Sequence, residues 1–593
     1  MENIDVARIF DEIADVLELK NDNPFRIRSY RRGARVVRDL PEDVKTLLAD
    51  GKLETVPGIG KSLAEKIQEM VKTGTCQTYE ETKRDPHYPL LELLTIPGVG
   101  PKLAVRLHEE LGIRSIDDLE RAAKAGKLRG LERLGEKAEE KILKGIEQHR
   151  KHGGRTKLAE ALTYADAIVR DLGAIKGVSR IEPVGSLRRM RETIGDIDIL
   201  VTAEQSEKIT GRIMDAFTSM DTVGQVLARG ETKSSVILKS GIQVDLRILP
   251  RASYGAALHY FTGSKDHNVA IRDRGKRMGL KISEYGVFDA RTEKVLGGKD
   301  EEEIFKAVGL PFIPPELREN SGEIEAAEEG RLPDLIRLAD IKGDLQMHTT
   351  ATDGANSIEE MATAAHRLGY KYIAITDHSK AVRVAGGLDD REMAAHARRI
   401  RKANDKVEGI EILVGIEVDI LSDGSLDLAD ETLAQCDVVI AAVHSRFNMP
   451  REEMTRRVLA GIENKYVNIM AHPTGRLINE REPYEIDVDA LIAGAGKTGI
   501  ALELDAYPDR LDLRDIHCRA AKEAGVKIAI DTDAHADKQL TVMRYGVMTA
   551  RRGWLEAGDV INTWTPAELR RFLSKGASKG APKGTSRGAS KGG

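Results

Sequence analysis

From Ile341 onward the chain repeats one pattern: a short apolar run that ends at a histidine or a carboxylate. Tyr372-Ile373-Ala374-Ile375-Thr376 leads into Asp377-His378, Glu411-Ile412-Leu413-Val414-Gly415 into Ile416-Glu417, and Val438-Val439-Ile440-Ala441-Ala442-Val443 into His444. Met470-Ala471 precedes His472, Gly499-Ile500-Ala501-Leu502 precedes Glu503-Leu504-Asp505, and Lys527-Ile528-Ala529-Ile530 precedes Asp531-Thr532-Asp533-Ala534-His535. Such runs separated by helical stretches read as buried parallel strands, so an α/β barrel or open sheet is expected. A span of about 230 residues is barrel size, and active sites of barrels lie on the rim where the strands end. A lone histidine there is ordinarily structural. Five in register with Asp and Glu (His378, His444, His472 and His535, with His348 near the first strand beside Asp353) predict a multinuclear metal site whose N and O ligands suit Zn²⁺ or Mn²⁺.

Residues 1–150 follow a different rule, with apolar positions at helical spacing (Val6, Ile9, Phe10, Ile13, Val16, Leu17) and Gly/Pro punctuation. Thr55-Val56-Pro57-Gly58-Ile59-Gly60-Lys61 recurs as Thr95-Ile96-Pro97-Gly98-Val99-Gly100-Pro101-Lys102, and in degenerate form at Leu131–Lys137. A turn of this kind lets backbone amides approach an anion at a following helix N-terminus. A nucleic-acid phosphate is the natural ligand, contacted at Gly58, Gly60, Lys61, Gly98, Gly100 and Lys102 without reading sequence. The plainer alternative is a tight helix connection. The repeats resemble the helix-hairpin-helix family, which binds DNA non-specifically.

Between these regions, Gly185-Ser186-Leu187-Arg188-Arg189 is followed by Gly195-Asp196-Ile197-Asp198. In a strand, Asp196 and Asp198 share a face, where they repel unless a hard cation lies between them. Asp245, on a second short strand, completes a trio able to hold two divalent ions for phosphoryl transfer. Gly185, Ser186 and Arg189 would then receive a triphosphate. The motif resembles the nucleotidyltransferase signature. Tyr260-Phe261-Thr262-Gly263-Ser264, with Asn268 and Arg272, resembles the nucleotide-pocket segment of the family X (polymerase beta-like) DNA polymerases. That resemblance implies that Tyr260 and Phe261 lie under the sugar and that Asn268 and Arg272 meet the base and template side. It also places Lys66 where animal relatives carry a lyase nucleophile, and Phe25 where they carry a base-stacking histidine.

The region after Ile341 resembles the PHP family of metal-dependent phosphoesterases. The resemblance implies up to three ions: one at His348, Glu417 and Asp533, a second at Glu417, His444 and His472, and a third at Asp353, His378 and His535. Gln346 stands where that family usually has histidine, and Asp505 where asparagine is expected.

The expected organisation is a helix-hairpin-helix domain over 1–85 and fingers with a second hairpin over 86–150. An α+β nucleotidyltransferase palm (151–250) and thumb (251–317) follow, then a linker (318–340), the PHP barrel (341–572) and a disordered basic tail (573–593). A net charge of −5 excludes a protein that wraps nucleic acid by charge alone, and three scattered cysteines exclude a disulfide scaffold or thiolate zinc site. The start, MENIDVARIF, lacks a secretion signal and no run is long enough to span a membrane, so a cytoplasmic protein is expected, and it is taken as a monomer. The function read from these features is a gap-filling DNA polymerase. It would use deoxynucleoside triphosphates with Mg²⁺ or Mn²⁺ and carry in the barrel a 3′–5′ exonuclease, with abasic-site cleavage or 3′ end-cleaning as a further activity of the same site. The alternatives are a phosphatase of small esters with a degenerate first half, or a non-catalytic DNA-end scaffold.

Overall fold

A computed structural model describes residues 1–574 except 2, 39, 41–43, 57, 97, 132–133, 153 and 204–205. The prolines of both hairpin turns, part of the degenerate third copy and the basic tail from 575 fall outside the described residues. The chain divides into two compact units, the first built on Met1–Leu332 and the second on Pro333–Ile478 with the chain from Glu482. Among the described residues no helix is long and apolar enough to cross a membrane.

The first unit opens with helices Asn3–Leu19 and Pro24–Arg38, whose apolar faces bury Val6, Phe10, Ile13, Ala34 and Val37. The two hairpins follow. Gly58 and Gly98 hold φ of +98° and +94°, a region open chiefly to glycine. Gly60 and Gly100 then start helices Lys61–Thr73 and Pro101–Leu111. No side chain caps either start, which leaves first-turn amides available to an anion.

A five-stranded sheet forms the middle of this unit, in the spatial order Val178–Pro183, Asp196–Ala203, Gln243–Leu249, Lys233–Leu238, Val223–Arg229. Asp196–Ala203 and Gln243–Leu249 run parallel, and the other neighbours are antiparallel. Helix Tyr254–Thr262 covers it, with Leu258 and Ala257 packed on Val184 and Leu200. A three-stranded antiparallel sheet (Leu280–Ser283, Gly286–Asp289, Val295–Gly297) and helix Glu301–Ala307 complete the thumb.

The stretch expected as a linker over 318–340 is partly packed. Arg318 is fully buried, stacks on Phe305 and Phe312, and pairs with Glu301, and helix Glu323–Glu328 begins with a buried Glu323 bonded to His267. Glu301 also receives both Nη atoms of Arg188 at 2.8 Å. Burial opposes ionisation of Glu301, but Arg188 and Arg318 outweigh it and hold its pKa at about 2. Glu301→Gln is expected to destabilise the unit by about 3 kcal/mol, because it leaves two guanidinium groups short of a counterion. The pKa is depressed by folding, so this contribution is full above about pH 5 and disappears as pH falls through 2. Urea midpoints of wild type and variant should therefore differ at neutral pH and converge in acid.

The second unit is a parallel sheet in strictly sequential order: Gly343–Asp344, Tyr372–Ile375, Glu411–Asp419, Val438–Ala442, Ile469–Met470, Ala501–Asp505, Ile528–Asp531. The chain beyond the last strand returns to the first: Met347 pairs with Ala534, and the His348 amide donates to the Ala534 carbonyl at 2.8 Å. This contact curls the seven strands into a near-closed barrel. The strands are apolar on both faces because helices such as Ile358–Arg367, Asp390–Asn404 and Arg451–Ile462 cover the outside. Leu573, expected in the tail, is buried at the end of helix Pro566–Leu573.

Candidate metal and nucleotide sites

The palm site is set by strand register. Asp198 lies directly opposite Asp245 on the adjacent parallel strand, and Asp196 precedes it by two on the same face. Gly185 sits against this pair at φ +63°, and a Cβ on it would fall 2.5 Å from Asp198 Oδ2, so only glycine fits the cradle. Burial first, then the charges of Asp196 and Asp245, push the Asp198 carboxyl up to about 7. Burial would raise Asp245 too, but hydrogen bonds from Gln243, Ser235 and Lys233 bring it below the usual range. Three acids on one face, one of them reluctant to ionise, fit a site for divalent cations.

An open cleft of about 600 Å³ adjoins Asp196 and Asp198. It is lined by every nucleotide-binding residue expected above: Gly185, Ser186, Arg189, Tyr260, Phe261, Gly263, Asn268 and Arg272. Arg189 donates to the Thr262 carbonyl at 2.5 Å and to Glu319 at 3.1 Å, so it also ties the Gly185 turn to the thumb. Tyr260 and Phe261 meet edge to face at 5.1 Å, Arg247 lies over the Phe261 ring, and Asn268 donates to the Tyr260 carbonyl at 2.6 Å. Arg155, Arg191 and Lys265 line the same cleft and were missed in the sequence, where isolated cations carry no signal. Arg155 is fixed by Thr193, with Nε donating to the hydroxyl at 2.9 Å and Nη2 to the carbonyl at 2.5 Å.

The hairpin residues lie in the first unit apart from this trio. Lys61 and Lys102 belong to the first turns of their helices. Lys66 is half-buried and bonds to Ser62 of its own helix at 3.0 Å, and Phe25 is 75% exposed with Arg28 over its ring.

In the barrel, all eight predicted ligands converge. Glu417 is the centre: His378 Nδ1 lies 2.8 Å from it, His472 Nε2 3.0 Å, His444 Nε2 3.3 Å and His348 Nε2 3.7 Å. His348 Nε2 is 3.0 Å from Asp533, and Asp353 lies 3.5 Å from His535 and 3.6 Å from His378. Burial opposes every charge here. The Glu417 and Asp353 carboxylates nevertheless outweigh it and raise His378 to about 11, while Glu417 and Asp419 raise His444 to about 9. Against burial, His378 and His444 hold Glu417 well below its ordinary range. His348 Nδ1 and both amide atoms of Gln346 are buried without a hydrogen-bond partner. Buried polar atoms are rarely left so, and this donor set fits metal ions.

Asp377, Glu503 and Asp505 stand at strand ends as the sequence suggests, and their contacts, with those of Asp419 and Arg510, form a supporting layer. Asp377 accepts from Thr349, Thr352 and His396 and so fixes the loop that carries Asp353. Asp419 bonds the ring and backbone of His444, Glu503 accepts the His472 amide, and Arg510 lies 3.2 Å from Asp505 and 3.8 Å from Asp533. Carboxylates that orient ligating histidines are usual around metal centres.

Sequence models of known families match four stretches: a helix-hairpin-helix domain over 1–76, a SAM-like helix-hairpin-helix tandem over 90–148, the DNA polymerase beta thumb over 257–319 and the PHP domain over 344–506. Fold and sites thus define a polymerase beta-like half and a PHP half in one chain. The DNA polymerase/3′–5′ exonuclease PolX of Bacillus subtilis (strain 168) is 40% identical over 577 residues, covering 97% of this chain and 100% of that protein. The chain therefore belongs to the family X DNA polymerases that carry a PHP domain. Human DNA-directed DNA/RNA polymerase mu is 23% identical over 335 residues, 49% of this chain and 64% of its own length. A probable phosphatase of Thermoanaerobacter sp. (strain X514) is 29% identical over 231 residues, 37% of this chain and 89% of its own length.

Proposed function

We propose that the chain is a DNA-directed DNA polymerase that fills short gaps during repair, with a 3′–5′ exonuclease in its barrel. The observation that carries this reading is the pairing of Asp198 with Asp245 in register beside a cation-lined cleft. Asp196, Asp198 and Asp245 would hold Mg²⁺ or Mn²⁺. Such ions supply positive charge to an attacking hydroxyl and a departing pyrophosphate. Gly185, Ser186, Arg189 and Arg155 face the polyphosphate side of the cleft. Tyr260 and Phe261 form the floor for the sugar, Gly263 allows its close approach, and Asn268 and Arg272 meet the base and template side. The hairpin glycines with Lys61 and Lys102 contact DNA phosphates, and Lys66 serves as an amine for an abasic sugar.

His348, Glu417 and Asp533, then Glu417, His444 and His472, then Asp353, His378 and His535 would hold up to three ions of Mn²⁺ or Zn²⁺, with Gln346 offering an amide oxygen. Ions there supply Lewis acidity toward a phosphodiester and lower the pKa of water. The buried carboxylates Asp377, Asp419 and Glu503 keep the ligands aimed at the rim, and the chain acts as a monomer.

Incubation with a 5′-phosphorylated gapped duplex tests the reading. Extension across the gap is expected with deoxynucleotides in Mg²⁺ or Mn²⁺, and shortening of the 3′ end in Mn²⁺ without them. Hydrolysis of small phosphate esters with neither DNA activity would support the phosphatase alternative instead.

A further inference from the structure

The palm face carries more than its three acids. Side chains alternate along a strand, so Gln243, Asp245 and Arg247 share one face, with Lys233 and Ser235 beside them on the neighbouring strand. Ser235 pairs with Asp245 and Lys233 with Arg247. Lys233 therefore reaches diagonally, and its Nζ lies 3.0 Å from Asp245 Oδ2. Gln243 Nε2 donates to Oδ1 of the same carboxylate at 2.9 Å. Both oxygens of Asp245 are thus held, one by an amide and one by a cation. The Asp245 side chain is only 13% exposed, while the Lys233 stem reaches it from a side chain that is 45% exposed.

We infer that Lys233 is a positioning residue for nucleotide addition, fixing the Asp245 carboxylate in the orientation that shares cations with Asp196 and Asp198. The inference rests on the polymerase reading of this palm. An ammonium at one oxygen and an amide at the other stop the carboxylate from turning, and the positive charge offsets repulsion among three clustered acids. A neutral side chain at 233 would leave Asp245 anchored by Gln243 and Ser235 alone. A lysine at the edge of a strand is also a ready phosphate contact, and the test separates the two roles.

The full chain is compared with Lys233→Met and Lys233→Arg in single-turnover insertion on a gapped duplex in Mg²⁺, with DNA affinity measured separately by fluorescence anisotropy. Methionine is expected to lower the saturating rate about tenfold, with DNA affinity and half-saturating nucleotide within about twofold of wild type. Arginine should recover most of the rate. Shortening of 3′ ends by the barrel reports that each variant is folded. Weakened DNA affinity with an undiminished saturating rate would make Lys233 a DNA contact and overturn the inference, as would a methionine variant unchanged in both. A wild type that inserts no nucleotide would remove the polymerase reading and the inference with it.

Discussion

Replacing Asp196 and Asp198 together with alanine is expected to reduce primer extension by at least about 10⁴-fold while 3′ shortening stays within about twofold of wild type. The asymmetry follows from where these acids lie. Asp198 is opposite Asp245 across one strand pair, so removing it and Asp196 leaves a single carboxylate, itself held by Lys233 and Gln243. No cation pair is held by one such group. None of the barrel ligands comes from this sheet, so hydrolysis has no reason to fall. Extension and shortening are read on the same labelled primer, with and without deoxynucleotides.

The converse pair, His348→Ala with Asp533→Ala, should lower 3′ shortening by about 10³-fold or more and leave extension intact. His348 touches Asp533 at 3.0 Å and reaches Glu417 at 3.7 Å, so the double variant strips one side of the cluster. His378, His444 and His472 still surround Glu417 and keep that end of the site in place. Loss of metal affinity in calorimetry should accompany the loss of hydrolysis. Loss of both activities from either pair of substitutions would mean that the two sites are not independent.

Much of this was legible in the residues because it depends on local periodicity. A two-residue repeat puts Asp196 and Asp198 on one face, and apolar runs ending in histidine put His378, His444 and His472 on one rim, wherever the sheet closes. What escaped depends on partners distant in sequence. Lys233 meets Asp245 only because two strands pair antiparallel, and Arg155 enters the cleft only through its hold on Thr193. The polar run around Arg318 and Glu323 reads as linker, yet it buries charges whose partners, Glu301 and His267, lie in earlier elements. Arg189 lines the nucleotide cleft as expected, but its bond to Glu319 could not be read from the Gly-Ser motif.

Asp196, Asp198 and Asp245 are expected to act together on shared cations. Anomalous diffraction from crystals of the full chain grown with gapped DNA, a non-hydrolysable nucleotide and Mn²⁺ measures this directly. Manganese peaks within about 2.3 Å of oxygens of Asp196, Asp198 and Asp245, separate from those at the barrel histidines, are the predicted result. Manganese confined to the barrel, with nucleotide bound and the palm carboxylates empty, would contradict it.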